Sequence, residues 1–138
     1  MPHLTVRVPE ARLAGHEQEL ISALTEAVAG VYGEWARDLV AVHLDGVPLG
    51  RWGIGGQTAD DAAPAITFGI REAALTRPGG DEIAARLVGR LTDAVAGVLG
   101  EQVRASTSVE LVATPEGRTS LGGVIADWRP PAHHRLGS

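Results

Sequence analysis

Pro2 carries the least ordinary chemistry in this sequence. Removal of Met1, the usual processing before a small second residue, leaves Pro2 with a free secondary amine. An α-amino group titrates near ~7.7–8.0 in water, and desolvation or a neighbouring cation lowers that value. A pocket can therefore keep such an amine neutral at pH 7, ready to serve as base or nucleophile. Arg12, Arg71 and Arg77 are the candidates to accompany it. A guanidinium grips a carboxylate in a bidentate fork, which is what an oxo or enol acid presents, and a cation close to the amine also depresses its pKa.

The first strand must position Pro2. Leu4, Val6 and Val8 alternate with Thr5 and Arg7, the period of a half-buried strand. A turn at 9–12 then leads to an amphipathic helix over about 15–32, with Leu20, Ile21, Leu24, Ala27, Val28 and Val31 on one stripe and Gly33 as its stop. A second strand is expected over 39–44. Strand, helix and strand in this order read as a βαβ unit with parallel strands. The glycine-rich run 46–56 reads as a hairpin-like flap, and 58–63 as a linker.

The second half repeats the first. Leu24-Thr25-Glu26-Ala27-Val28-Ala29-Gly30 recurs 67 residues on as Leu91-Thr92-Asp93-Ala94-Val95-Ala96-Gly97, and the register holds through Gly55-Gly56 and Gly122-Gly123. Pro2, Thr5 and Val8 recur 62 residues on as Pro64, Thr67 and Ile70. Five extra residues therefore lie within 71–80. The second helix is expected over about 81–99 and the last strand over about 106–112. Pro64 lies inside the chain, so its nitrogen is an amide with no basic lone pair; only the first repeat can supply the amine.

These repeats predict one domain over 1–128, made of units 1–57 and 64–128, with a tail at 129–138. The expected fold is of the α/β (α+β) type: two tandem βαβ units form a four-stranded mixed sheet with both helices on one face. The other face, carrying Thr5, Arg7, Ala41 and His43, then needs cover, which predicts an oligomer.

Composition limits the partners. At 44% hydrophobic and 21% charged, the 138 residues are those of a globular chain. A net charge of −5, with no basic cluster longer than a pair, argues against a nucleic-acid surface. No apolar run nears the ~18 residues of a membrane span and no signal peptide opens the chain, so a cytoplasmic protein is expected. Without cysteine there is no disulfide or thiolate chemistry. His133 and His134 form no metal spacing with other ligands, and no metal or organic cofactor is expected.

Pro2, the βαβ pattern and Gly50-Arg51-Trp52-Gly53-Ile54-Gly55-Gly56 together resemble the tautomerase superfamily, typified by 4-oxalocrotonate tautomerase. Two tandem units in one chain resemble its fused members, such as malonate semialdehyde decarboxylase and cis-3-chloroacrylic acid dehalogenase, which are trimers. The resemblance implies a cofactor-independent isomerase, a homotrimer acting on a small-molecule carboxylate, with Pro2 as catalytic base. It implies that Arg12 binds a substrate carboxylate and Trp52 walls the pocket. Arg71 and Arg77 fall near the arginine pair that fused relatives carry after their third strand, and Asp38 falls on the decarboxylase's catalytic aspartate. The second arginine of the short tautomerases falls on Ala41 and Ser108, and the dehalogenase's helical histidine on Val28. Asp127-Trp128 is a further candidate to close the pocket. The implied alternatives are a decarboxylase or a dehalogenase/hydratase acting on a 3-carbon oxo acid; a catalytically silent trimeric scaffold is the reading from another class.

Overall fold

The computed structural model describes residues 2–125. Four long strands form one sheet: β1 (His3–Pro9), β2 (Ala41–Val47), β5 (Ala65–Arg71) and β6 (Ser108–Thr114), in the order β2-β1-β5-β6. Within each repeat the strands run parallel, and β1 meets β5 antiparallel. Two short hairpins, β3 (Gly53–Ile54) with β4 (Gln57–Thr58) and β7 (Ser120–Leu121) with β8 (Val124–Ile125), form the flaps.

The two repeats are joined by a near two-fold relation. Thr5 lies opposite Thr67 at the β1–β5 junction, and each is the other's counterpart in the repeat. One end of the sheet therefore carries Pro2 and the other carries Pro64. The symmetry extends to backbone bonds: Ala41 donates to the Pro2 carbonyl at 3.2 Å, and Ser108 to that of Pro64 at 3.1 Å.

Helices α2 (Glu17–Tyr32) and α4 (Gly80–Leu99) cover one sheet face. Leu20, Leu24, Val28, Leu87, Leu91 and Val95 pack on Leu4, Val6, Val8, Ile66, Phe68 and Ile70, all buried. The alternation of β1 places Leu4, Val6 and Val8 in this core and His3 and Arg7 outside it. The opposite face, with His3, Arg7, Ala41, His43, Ser108 and Glu110, is exposed in the single chain.

Two local expectations are corrected. Residues 9–12 do not simply turn: Glu10–Leu13 forms a short helix, α1, and α2 starts at Glu17, two residues after Gly15 turns the chain at φ 89°. The second and last strands begin two residues later than expected, because 3₁₀ turns at Glu34–Ala36 and Glu101–Ser106 take up the intervening chain. An arginine pins each turn in the same way. Arg37 bonds Glu34 and Glu26, and Arg104 bonds Glu101 and Asp93, at equivalent repeat positions. The hydrogen bond from Arg104 holds the Glu101 carboxyl below its ordinary range.

The short helices narrow the insertion expected within 71–80. Glu10-Ala11-Arg12-Leu13 recurs as Glu72-Ala73-Ala74-Leu75, and Glu72–Thr76 forms α3 as Glu10–Leu13 forms α1. The five extra residues are thus 76–80, which carry Arg77. Gly79 turns this segment at φ 82°. At Gly80 a Cβ would stand only 2.1 Å from the Leu75 carbonyl oxygen, so this close approach needs glycine.

Candidate functional site

The Pro2 end of β1 opens onto a cavity of about 470 Å³ lined by Pro2, Tyr32, Trp35, Leu39, Gly69 to Arg71, Ala73, Ala74 and Arg77. Each element contributes for a reason set by topology. Because β2 is parallel to β1, the segment that leads into β2 must pass the Pro2 end; it brings the last residue of α2, Tyr32, together with Trp35 and Leu39. Because β5 is antiparallel to β1, its last residues reach the same end, and α3 with the insertion follows directly.

Pro2 itself is buried. The cavity wall is mainly apolar, with two guanidinium groups at its polar side. Arg71 is held by Glu116 at 3.1 Å. Arg77 forms no ion pair among the described residues, and its charge reaches the Tyr32 phenol. Burial pushes that phenol up to about 12, with Arg77 opposing the shift. The Tyr32 ring stands 6.4 Å from Phe68 and 6.2 Å from Trp35, and the Trp35 indole Nε1 donates to the Tyr32 carbonyl at 2.9 Å. A neutral amine at Pro2 facing these groups can exchange a proton with a bound acid whose carboxylate lies on a guanidinium.

Of the residues singled out in the sequence, Arg71 and Arg77 share the Pro2 cavity. Arg12 and Trp52 do not within one chain. Arg12 follows the far end of β1, about 20 Å from Pro2 at ~3.3 Å per residue. Its Nη2 donates to the Asp61 carbonyl at 2.8 Å, and its buried Nε makes no hydrogen bond among the described residues. Trp52 lies in the flap beyond β2, also at the Pro64 end, half-exposed. Asp38 is exposed in the turn one residue before Leu39, outside the cavity lining. Asp127, Trp128, His133 and His134 lie outside the described residues. A wider, shallower groove between α2 and α4, lined by residues such as Ser22 and Gly97, gathers no comparable set of groups.

Tyr32 and Trp35 were not legible as site residues. Tyr32 ends a helical stripe that reads as core, and Trp35 reads as part of a turn. The repeat carried a usable signal: their counterparts are Leu99 and Gln102, so the two ends of the sheet differ where function would require it.

Comparison with known proteins bears on the fold. Residues 2–62 match the tautomerase enzyme family model. The structure is similar to a fused 4-OT, F6, described as an asymmetric trimer, at 25% identity and TM-score 0.77, covering 99% of each chain. A native fused 4-OT is similar at 26% identity, the same TM-score and the same coverage. N1, of the cis-3-chloroacrylic acid dehalogenase family, shares the fold at 21% identity and TM-score 0.67, over 97% of this chain and 89% of its own. No curated protein sequence gives a significant match. The first repeat thus carries the tautomerase family pattern, and the two βαβ units together are similar in fold, over nearly the whole chain, to the fused 4-OT structures.

Proposed function

We propose that the chain is a cofactor-independent isomerase in which the Pro2 amine, freed by removal of Met1, moves a proton between oxygen and carbon of a small 2-oxo or 2-hydroxy unsaturated acid. The neutral amine takes the enol hydroxyl proton, and the resulting prolinium returns it to carbon. Arg77 and Arg71 hold the carboxylate and oppose the charge of the intermediate dienolate. The observation that carries this reading is that Pro2 opens onto an apolar cavity that gathers two guanidinium groups, Arg71 and Arg77. Burial and both cations favour the neutral amine. Positioned proton transfer of this kind is worth about 10²–10⁴-fold.

The working form is a homotrimer. The uncovered sheet face and the exposed apolar Leu49, Ile54, Leu121, Val124 and Ile125 of the flaps are surface that a ring of chains would cover. Arg12 and Trp52 then serve a neighbour's cavity, since neither reaches Pro2 of its own chain. Asp38 belongs to a second reading, decarboxylation or hydration of a 3-carbon oxo acid, favoured by its place next to Leu39 of the cavity wall.

The test is Pro2→Ala, which exposes a primary amine in place of the ring-locked one. Activity on 2-hydroxymuconate or the enol of phenylpyruvate should fall by about 10²-fold or more in a protein that remains folded, since a strand end tolerates proline without needing it. The kcat/KM of the unsubstituted protein should rise with pH through the amine pKa. Wild-type rates in Pro2→Ala, with intact mass confirming that Met1 is gone, would sink the reading in favour of a silent scaffold.

A further inference from the structure

We propose that the Tyr32 hydroxyl donates a hydrogen bond to the substrate oxygen on which negative charge develops, making Tyr32 a second catalytic residue of the Pro2 cavity. The inference rests on the proton-shuttle reading. In either direction of that reaction, removal of a proton from the enol oxygen or from the carbon beside the carbonyl leaves charge on the same oxygen. A donor aimed there lowers the barrier without a net transfer: the phenol keeps its proton, and Pro2 alone gives and takes.

Three observations support it. Tyr32 lines the same cavity as Pro2 and Arg77, and its hydroxyl makes no hydrogen bond among the described residues. Its ring is fixed between Phe68 and Trp35, with the Trp35 indole tied back to the Tyr32 carbonyl, so the donor is held before substrate arrives. The repeat provides an internal comparison. At the other end, where the proline nitrogen is an amide, Leu99 replaces Tyr32, Gln102 replaces Trp35, and no inserted segment brings a counterpart of Arg77. The fold is kept at both ends; Tyr32, Trp35 and Arg77 beside the usable amine have no counterpart of their kind at the equivalent positions of the other end. With its pKa pushed up to about 12, the phenol remains a donor throughout the pH range in which Pro2 titrates.

Tyr32 is the only tyrosine in the chain, so uniform incorporation of 3-fluorotyrosine labels it alone. Two measurements test the proposal. With the enol of phenylpyruvate, Tyr32→Phe should lower kcat by about 10²-fold, the cost typical of one lost donor, with KM little changed, because ring packing on Phe68 and Trp35 is retained. Separately, the fluorine resonance of the labelled protein should move on saturation with phenylpyruvate, a binding readout that does not need turnover. A kcat within twofold of wild type in Tyr32→Phe, or a resonance that stays put at saturation, would overturn the assignment. Failure here is separable from failure of the shuttle: Pro2→Ala inactive beside a fully active Tyr32→Phe removes Tyr32 and keeps Pro2. An active Pro2→Ala removes Pro2, while the fluorine shift still decides whether substrate sits at the phenol.

Discussion

Arg12 and Ala74 occupy one position of the repeat, Arg12 at the Pro64 end of the sheet and Ala74 in the wall of the Pro2 cavity. The arginine is thus absent from the cavity that holds Pro2 of its own chain, and it stands about 20 Å away. If Arg12 binds substrate, it does so in a neighbouring chain. Coexpressed Pro2→Ala and Arg12→Ala chains should then form mixed trimers in which about a quarter of the sites combine an intact Pro2 with an intact Arg12 from next door, given random assembly in a cyclic ring. Activity well above that of either variant alone is expected. Equal, additive losses in the mixture would show that Arg12 does not complete a neighbour's site.

Arg71 and Arg77 share the cavity and should not share a role. Arg71 is held by Glu116 at 3.1 Å, whereas Arg77 forms no ion pair among the described residues. Arg77→Met should raise KM more than Arg71→Met, because the unpaired guanidinium is the one open to a substrate carboxylate. Loss of its charge should also move the lower limb of the kcat/KM pH profile to higher pH, since a nearby cation depresses the amine pKa. Steady-state kinetics across pH on both variants would check the contrast. A larger KM change in Arg71→Met would reverse the assignment.

The flaps should be interface elements. Ile54 and Leu121 are repeat counterparts, 62% and 75% exposed in the single chain, each on a two-residue strand with too little core of its own to hold it. Ile54→Asp should weaken the trimer, with Leu121→Asp acting likewise, and light scattering at micromolar concentration would detect the smaller species. The helical core lies on the opposite side of the sheet and does not involve these residues, so far-ultraviolet circular dichroism should change little.

The parts that repeat were the parts that could be read. Helix stops at Gly33 and Gly100, flap turns at Gly55-Gly56 and Gly122-Gly123, and the pairing of two βαβ units follow from glycine placement and apolar period, which local physics reports directly. Strand starts were misplaced by two residues because Arg37 and Arg104 stabilise 3₁₀ turns through partners eleven residues back in sequence, and such contacts leave no periodic trace. The site was legible only in part for the same reason. Of the candidate residues, Pro2 stands out by its chemistry and Arg71 and Arg77 by family resemblance, whereas Tyr32 looks like one more residue on a buried stripe until the β1–β2 pairing carries the end of α2 to the Pro2 end.

Tyr32 should also set an alkaline limit on stability. Burial pushes its phenol up to about 12 from the ordinary 10.0, with the Arg77 charge opposing the shift. The sign is fixed by which state binds the proton more tightly. Between pH 10 and 12 the unfolded chain loses its phenolic proton while the native chain retains it, so stability that is constant below pH 10 falls as pH rises to the native value. The loss should be about 1–2 kcal/mol after allowing for screening by solvent at the partly exposed ring. Because the chain has one tyrosine, absorbance near the phenolate band reads this titration without interference from a second phenol. Denaturant unfolding at pH 9 and 11.5 should show the decline in the unsubstituted protein, and Tyr32→Phe should lose it while keeping the packing against Phe68. A decline of the same size in Tyr32→Phe would assign the alkaline limit to other groups and place the native phenol near its ordinary value.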